Sequence, residues 1–158
     1  MANTFTQIHL QIIFAVENRI SLIKPSWETQ LYKYVTGIVQ NNDHKLLTIN
    51  GVPDHLHFLI GMRPTQALSY LIQEIKRDSS AWINENRFTN GKFSWQEGYG
   101  AFSYSRSHLH NVIHYIEDQK LHHKKVTFIE EYKKLLKKFE IPYDEKYIFR
   151  EVVQTTPK

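Results

Sequence analysis

The sequence predicts an α+β fold: a four-stranded antiparallel sheet of the split βαβ kind, with two helices on one face and further helices after it. Three observations predict it. Two segments alternate apolar and polar residues as half-buried strands do. A Gly51-Val52-Pro53-Asp54 connection joins two strand-like runs into a hairpin. Stretches of helical period separate the strands, giving the order strand, helix, strand, strand, helix, strand, then two helices.

The first strand lies within residues 4–15. Thr6, Ile8, Leu10, Ile12 and Phe14 share one face; Gln7, His9 and Gln11 share the other, and Ile13 departs from the pattern. After a loop at 16–24, Pro25-Ser26 opens a helix with Trp27, Leu31, Tyr34, Val35, Ile38 and Val39 at helical spacing, ending near Asn41-Asn42-Asp43. Residues 45–52 read as the second strand. The third, Asp54-His55-Leu56-His57-Phe58-Leu59-Ile60, puts two imidazoles on one face and Leu56, Phe58 and Ile60 on the other. Residues 65–86 form the longest helix, with Leu68, Leu71, Ile72, Ile75, Trp82 and Ile83 on one stripe. Tyr99 between Gly98 and Gly100 begins the last strand, about 99–105.

A helix is expected from Ser107 to His122, with Leu109, Val112, Ile113 and Ile116 buried. Another is expected from Thr127 to Phe139, presenting Phe128, Tyr132, Leu135, Leu136 and Phe139. The tail from Ile141 is expected to be an extended arm packed on the body or a partner. Together these elements describe a ferredoxin-like arrangement. Two helices would cover one face, and the histidines of the third strand would look toward the other. No repeat or linker divides the chain, so a single domain is expected over residues 1–158. Its core spans about 3–125, with a C-terminal helix and arm over about 126–158.

Composition narrows the function. With 41% hydrophobic and 23% charged residues the chain reads as an ordinary globular protein. It has no cysteine, which excludes disulfides, thiolate zinc sites and cysteine nucleophiles. The opening residues lack a basic region followed by an apolar one, and no apolar run is long enough to span a bilayer. The expectation is a cytoplasmic protein with no membrane partner. The formal net charge of +4 has one source. Residues 120–138 hold seven lysines against Glu130 and Glu131, while the rest of the chain nearly balances. Such a segment is either a solvated helix face or a footprint for a phosphate backbone.

Two candidate groups carry chemistry. His55 and His57, neutral imidazoles on one face of a rigid strand, make half of a divalent-metal site. On the helix after Ser107, His108, Tyr115, Gln119 and His122 form a polar stripe about 100° around from the buried one. Tyr115 and Gln119, four residues apart, are neighbours on it.

Three motifs in this order make the chain resemble the single-tyrosine HUH transposases, both insertion-sequence transposases and REP-associated tyrosine transposases. They are Val52-Pro53-Asp54-His55-Leu56-His57, Trp95-Gln96-Glu97-Gly98-Tyr99-Gly100-Ala101-Phe102-Ser103, and Tyr115-Ile116-Glu117-Asp118-Gln119 followed by His122-His123. Tyr104 departs from the pattern, where a small aliphatic residue is more usual. The resemblance covers the chain from the first strand to about residue 125.

The resemblance implies that His55, His57 and Gln119 bind Mg²⁺ or Mn²⁺; by ligand type alone Co²⁺ or Zn²⁺ would fit equally. It implies that Tyr115 is the catalytic nucleophile, forming a 5′-phosphotyrosine link and freeing a 3′-OH. A free tyrosine titrates near ~10, so the hydroxyl needs activation by the metal, a base or a cation such as Lys120 or His122. The implied substrate is single-stranded DNA with hairpin ends. Lys76, Arg77, Arg106, Lys120, Lys124 and Lys125 are candidate backbone contacts, and Tyr99 or Tyr104 candidate stacking platforms. The implied assembly is a homodimer with composite active sites, histidines from one protomer and tyrosine from the other. Two other readings are compatible with the residues: a non-catalytic module that grips hairpin nucleic acid, and a metal-dependent hydrolase without a covalent intermediate. A phosphoesterase with paired His-x-Thr/Ser motifs is disfavoured, because neither histidine is followed by that pattern.

Overall fold

A computed structural model describes residues 3–144. The elements follow the expected order: β1 (His9–Ala15), α1 (Pro25–Asn41), β2 (Lys45–Val52), β3 (His55–Gly61), α2 (Leu68–Glu85), β4 (Gly100–Ser103), α3 (Leu109–Glu117), α4 (Gln119–His122) and α5 (Phe128–Lys138). Short 3₁₀ turns occupy Glu17–Arg19 and Arg106–His108. The sheet order is β2-β3-β1-β4, with every pair antiparallel. This is the ferredoxin-like topology, with β2 and β3 forming the hairpin.

Both faces of the sheet are covered, and the strand alternation decides what goes where. Ile12, Phe14, Leu56, Phe58 and Ile60 pack on Trp27, Leu31 and Val35 of α1 and on Leu71, Ile72 and Ile75 of α2. On the other face, Ile13, Ala15 and Phe102 pack on Phe128, Leu135 and Leu136 of α5, while Leu59 packs on Val112 and Ile116 of α3. Ile13 breaks the apolar–polar alternation for this reason: its strand is buried on both sides. The register sets His57 opposite Ile13 on β1 and Asn50 on β2, which places the histidine at the centre of the sheet.

The expected continuous helix from Ser107 to His122 is broken in two. Asp118 leaves helical geometry at φ −90° and ψ 12°. Asn50 Nδ2 reaches up from β2 and donates to Ile116 O at 3.0 Å and Glu117 O at 2.9 Å, taking carbonyls that a continuing helix would use. The last helix starts where expected, with the Thr127 side chain accepting from Glu130 N at 3.3 Å as its N-cap. Of the expected C-terminal arm, residues 141–144 are exposed and the remainder lies outside the described residues. No helix among the described residues is long and apolar enough to cross a membrane.

Candidate active site

The site lies between the centre of the sheet and the helices that cover its second face. His55 and His57 project from β3 with no solvent exposure. His55 Nδ1 lies 2.6 Å from Oδ1 of Asp54, the last residue of the hairpin turn. Gln11, on the same face of β1, sets its Nε2 3.2 Å from His57 Nδ1, and its Oε1 accepts from Tyr104 at 2.9 Å. Each histidine thus has its Nδ1 engaged and presents Nε2 to the cavity. This outer support is the kind that orients imidazoles toward a metal.

What those Nε2 atoms meet is Glu131 of α5. Its Oε1 lies 2.9 Å from His57 Nε2, 3.0 Å from His123 Nε2 and 3.5 Å from His55 Nε2. His55 Nε2 and His123 Nε2 are 3.1 Å apart. The other carboxylate oxygen accepts the Tyr115 hydroxyl and lies 3.4 Å from His122 Nε2. Glu131 is 2% exposed. Burying a carboxylate is costly, and two things offset the cost here. The imidazoles hydrogen-bond it, and Phe128, Leu135 and Leu136 beside it contribute about 1.5–3 kcal/mol each on burial.

Charge in the site is strongly biased. Burial alone would push the Glu131 carboxyl up, but hydrogen bonds from His123, His55 and His57 outweigh it and hold Glu131 far below the usual carboxylate range. Burial brings the His57 imidazole down to about 4, against the pull of Glu131. For His55, burial also pushes down, but the hydrogen bonds to Asp54 and Glu131 together raise it. The Tyr115 hydroxyl is pushed well above its ordinary value, first by burial and then by the Glu131 charge. Tyr115 is therefore held as a neutral donor.

Gln119 is completely buried beneath the tyrosine. Its Nε2 donates to Tyr115 O at 3.3 Å, and its Oε1 has no hydrogen-bond partner. A buried carbonyl oxygen without a donor fits a cation ligand. The donor set of imidazoles and one amide oxygen likewise fits a divalent first-row metal. Outside this floor opens a cleft of about 380 Å³ lined by Tyr104, His108, Tyr115, His122 and Lys134. Of the predicted stripe, His108, Tyr115 and His122 line this space despite the break at Asp118, while Gln119 is buried away from it.

The basic residues are distributed differently from one another. Lys76 turns inward, donating to Gln96 O at 2.8 Å and Gly98 O at 2.5 Å. Lys120 donates to Asn50 Oδ1 at 2.9 Å and Gly51 O at 3.2 Å and pairs with Glu28 at 3.4 Å. Both lysines brace the chain. Arg77 is exposed and pairs with Asp78 at 3.0 Å. Lys124 and Lys125 are exposed just past His123, and Arg106 lines a groove of about 890 Å³ with Lys45 and Arg63.

The family model described as "Transposase IS200 like" matches residues 4–119, from the start of the described chain through Gln119. The chain belongs to this transposase family. Two solved structures share the fold of this IS200-like transposase. One is a candidate transposase from Deinococcus radiodurans R1, at 18% identity and a TM-score of 0.60, covering 75% of this chain and 95% of that one. The other is a REP-associated tyrosine transposase bound to a REP hairpin, at 13% identity and a TM-score of 0.60, covering 80% and 74%. No curated protein matches the chain. The family match ends before His122, His123 and α5, so the residues of this transposase that close the site lie beyond it.

Sequence reasoning missed Glu131, and gave no role to His123, Asp54, Gln11 or Asn50. Glu131 had a legible signal. It stands between Phe128 and Leu135 on the apolar stripe of its helix, where an acid needs a buried partner.

Proposed function

We propose that this transposase cleaves and rejoins single-stranded DNA at hairpin-bearing ends, with Tyr115 as nucleophile and a divalent metal at His55, His57 and Gln119. One observation carries the reading. The Tyr115 hydroxyl and the Nε2 atoms of His55 and His57 meet at the two oxygens of one buried carboxylate, so nucleophile and metal-ligand candidates share a single centre.

Mg²⁺ or Mn²⁺ there would act as a Lewis acid on the scissile phosphate. The chain's own residues do the rest. Tyr115 Oη forms a bond to phosphorus as the bond from phosphorus to the 3′ oxygen breaks. The phenolic proton is, in the balance, the one the 3′ oxygen acquires. The product is a 5′-phosphotyrosine and a free 3′-OH, and the retained ester lets rejoining proceed without a nucleotide cofactor. Gln11 and Asp54 orient the imidazoles. Asn50 anchors the end of α3, two residues past the tyrosine. Lys124, Lys125, Arg77 and Arg106 supply backbone contacts along the exposed surface, and Tyr104 at the cleft rim offers a ring to a base. The REP hairpin bound by the structural neighbour supports hairpin DNA as the ligand class. We include the homodimer in the proposal, since two copies exchanging the segment from Ser105 onward would form the same contacts in trans.

The test is a covalent-adduct assay with labelled single-stranded hairpin DNA and Mg²⁺, Mn²⁺ or chelator, resolved on a denaturing gel. A metal-dependent adduct lost in Tyr115→Phe and in His57→Ala supports the proposal. Cleavage that persists in Tyr115→Phe points instead to a hydrolase, and binding without cleavage to a hairpin-gripping module. Mixing the two inactive variants decides the assembly: restored adduct means composite sites.

A further inference from the structure

We propose that His123 and Glu131 are metal ligands as well, so that the resting protein holds its ion in a closed shell of His55, His57, His123 and Glu131, with Gln119 outside it. The inference rests on the reading of this centre as a divalent-metal site.

These four residues offer one ligand atom each, all within 4.8 Å of one another. The separations along the shell are 2.9, 3.0, 3.1 and 3.5 Å. A tetrahedral ion with bonds of about 2.0–2.1 Å has edges of roughly 3.3–3.4 Å. Each of these four contacts lies within about half an ångström of such an edge, and the two remaining pairs lie within 4.8 Å, so closing the shell draws the imidazoles together around the ion. Four atoms from a strand, a loop after a helix and a second helix converge this way on one point.

The chemistry of the shell selects the ion. Three imidazoles and one carboxylate suit Zn²⁺ or Co²⁺ in four-coordination, whereas Mg²⁺ prefers six oxygen ligands and retains water. A shell closed by four side chains leaves no position for a phosphate oxygen. Glu131 must withdraw for one to enter, and the same movement frees the Tyr115 hydroxyl from its other oxygen. α5, outside the family match, thereby controls both the metal and the nucleophile.

The experiment titrates chelator-stripped full-length protein with Co²⁺, followed by Zn²⁺ competition, for wild type, Glu131→Gln, His123→Ala and Gln119→Ala. Circular dichroism of each variant checks folding. Wild type is expected to bind one Co²⁺ with the intense visible bands of four-coordinate cobalt. Glu131→Gln and His123→Ala should each lose those bands and at least the about tenfold in affinity that loss of even an outer-shell partner costs. If Glu131→Gln fails to fold, His123→Ala, at the edge of the site, decides alone. Weak six-coordinate bands that depend on Gln119 but not on Glu131 or His123 overturn the proposal, as does the absence of Co²⁺ uptake by wild type. The Tyr115 adduct assay with Mg²⁺ or Mn²⁺ is scored separately, so the closed shell can fail while the transposase reading stands.

Discussion

Gln11 sets its side-chain amide 3.2 Å from Nδ1 of His57, and Tyr104 fixes the other end of that amide at 2.9 Å. With Tyr104 donating to Oε1, the amide nitrogen points at His57, whose Nε2 then carries the proton shared with Glu131. Metal ligation through Nε2 requires the opposite tautomer, with the proton on Nδ1 and Oε1 of Gln11 accepting it. The amide must turn over, which the Tyr104 hydroxyl tolerates because it can also accept.

Gln11→Leu removes either partner for Nδ1. Divalent-metal affinity is expected to fall about 10–100-fold, as for other outer-shell losses. Competition against a chromophoric chelator measures it. Unchanged affinity would remove Gln11 from the site, and His57 with it unless His57→Ala still abolishes binding.

The position of Tyr115 depends on Asn50. Its amide donates to the last carbonyls of α3, and its oxygen receives Lys120. Asn50→Ala removes the side-chain donor from both carbonyls, while Ile116 O keeps a main-chain N–H, so the cost is expected at about 1 kcal/mol. The unfolding midpoint in urea should drop accordingly. Hydrogen exchange at the end of α3 should rise more than in α1, because the anchor is local. Uniformly faster exchange across the chain would contradict a specific anchoring role.

The histidine strand and its hairpin were legible because alternation along 54–60 and the turn at 51–54 are local patterns that burial does not overrule. Pro25 at the helix start and the apolar stripe of α1 were legible for the same reason. The break at Asp118 was not, since it depends on Asn50, which lies 66 residues away from Ile116. Glu131 was hidden by composition: in a segment with seven lysines it reads as one of two balancing acids. Its role exists only because α5 folds back over β3, a tertiary fact. Likewise Lys76 and Lys120 read in sequence as candidate backbone contacts, and the carbonyls they brace are visible only in the structure.

Lys76 gives a pH signature away from the metal centre. Burial brings its ammonium down to about 8 from the ordinary 10.5, against a smaller opposing pull from Glu97. A cation disfavoured in the folded state costs stability while both states stay protonated, below about 8. Between 8 and 10.5 the folded state sheds the proton first, so stability rises with pH across that window. Lys76→Met should flatten the rise. Urea midpoints for both proteins, taken from neutral pH to the onset of tyrosine ionisation, measure the difference; parallel profiles would show that Lys76 carries no such linkage.

Gly51 tests whether the hairpin sets the site. An added Cβ there would lie 2.9 Å from the carbonyl oxygen of His55 and 3.2 Å from Leu56 Cδ1. The first neighbour is main chain at the start of β3, paired across the hairpin through Val52 and His55, so it cannot rotate aside as a side chain end could. Relief requires β2 and β3 to separate locally, which moves the backbone that carries His55. Gly51→Ala is therefore expected to cost about 1–3 kcal/mol, the usual range for overpacking. Metal affinity should fall with it, because the His55 ring shifts relative to His57. Gly37, where a Cβ meets nothing within 4 Å, is the control: Gly37→Ala within α1 should stabilise the helix by up to about 1 kcal/mol and leave metal affinity unchanged. Loss of stability at Gly51 with metal affinity intact would show that the hairpin holds the sheet together without setting the spacing of the two imidazoles.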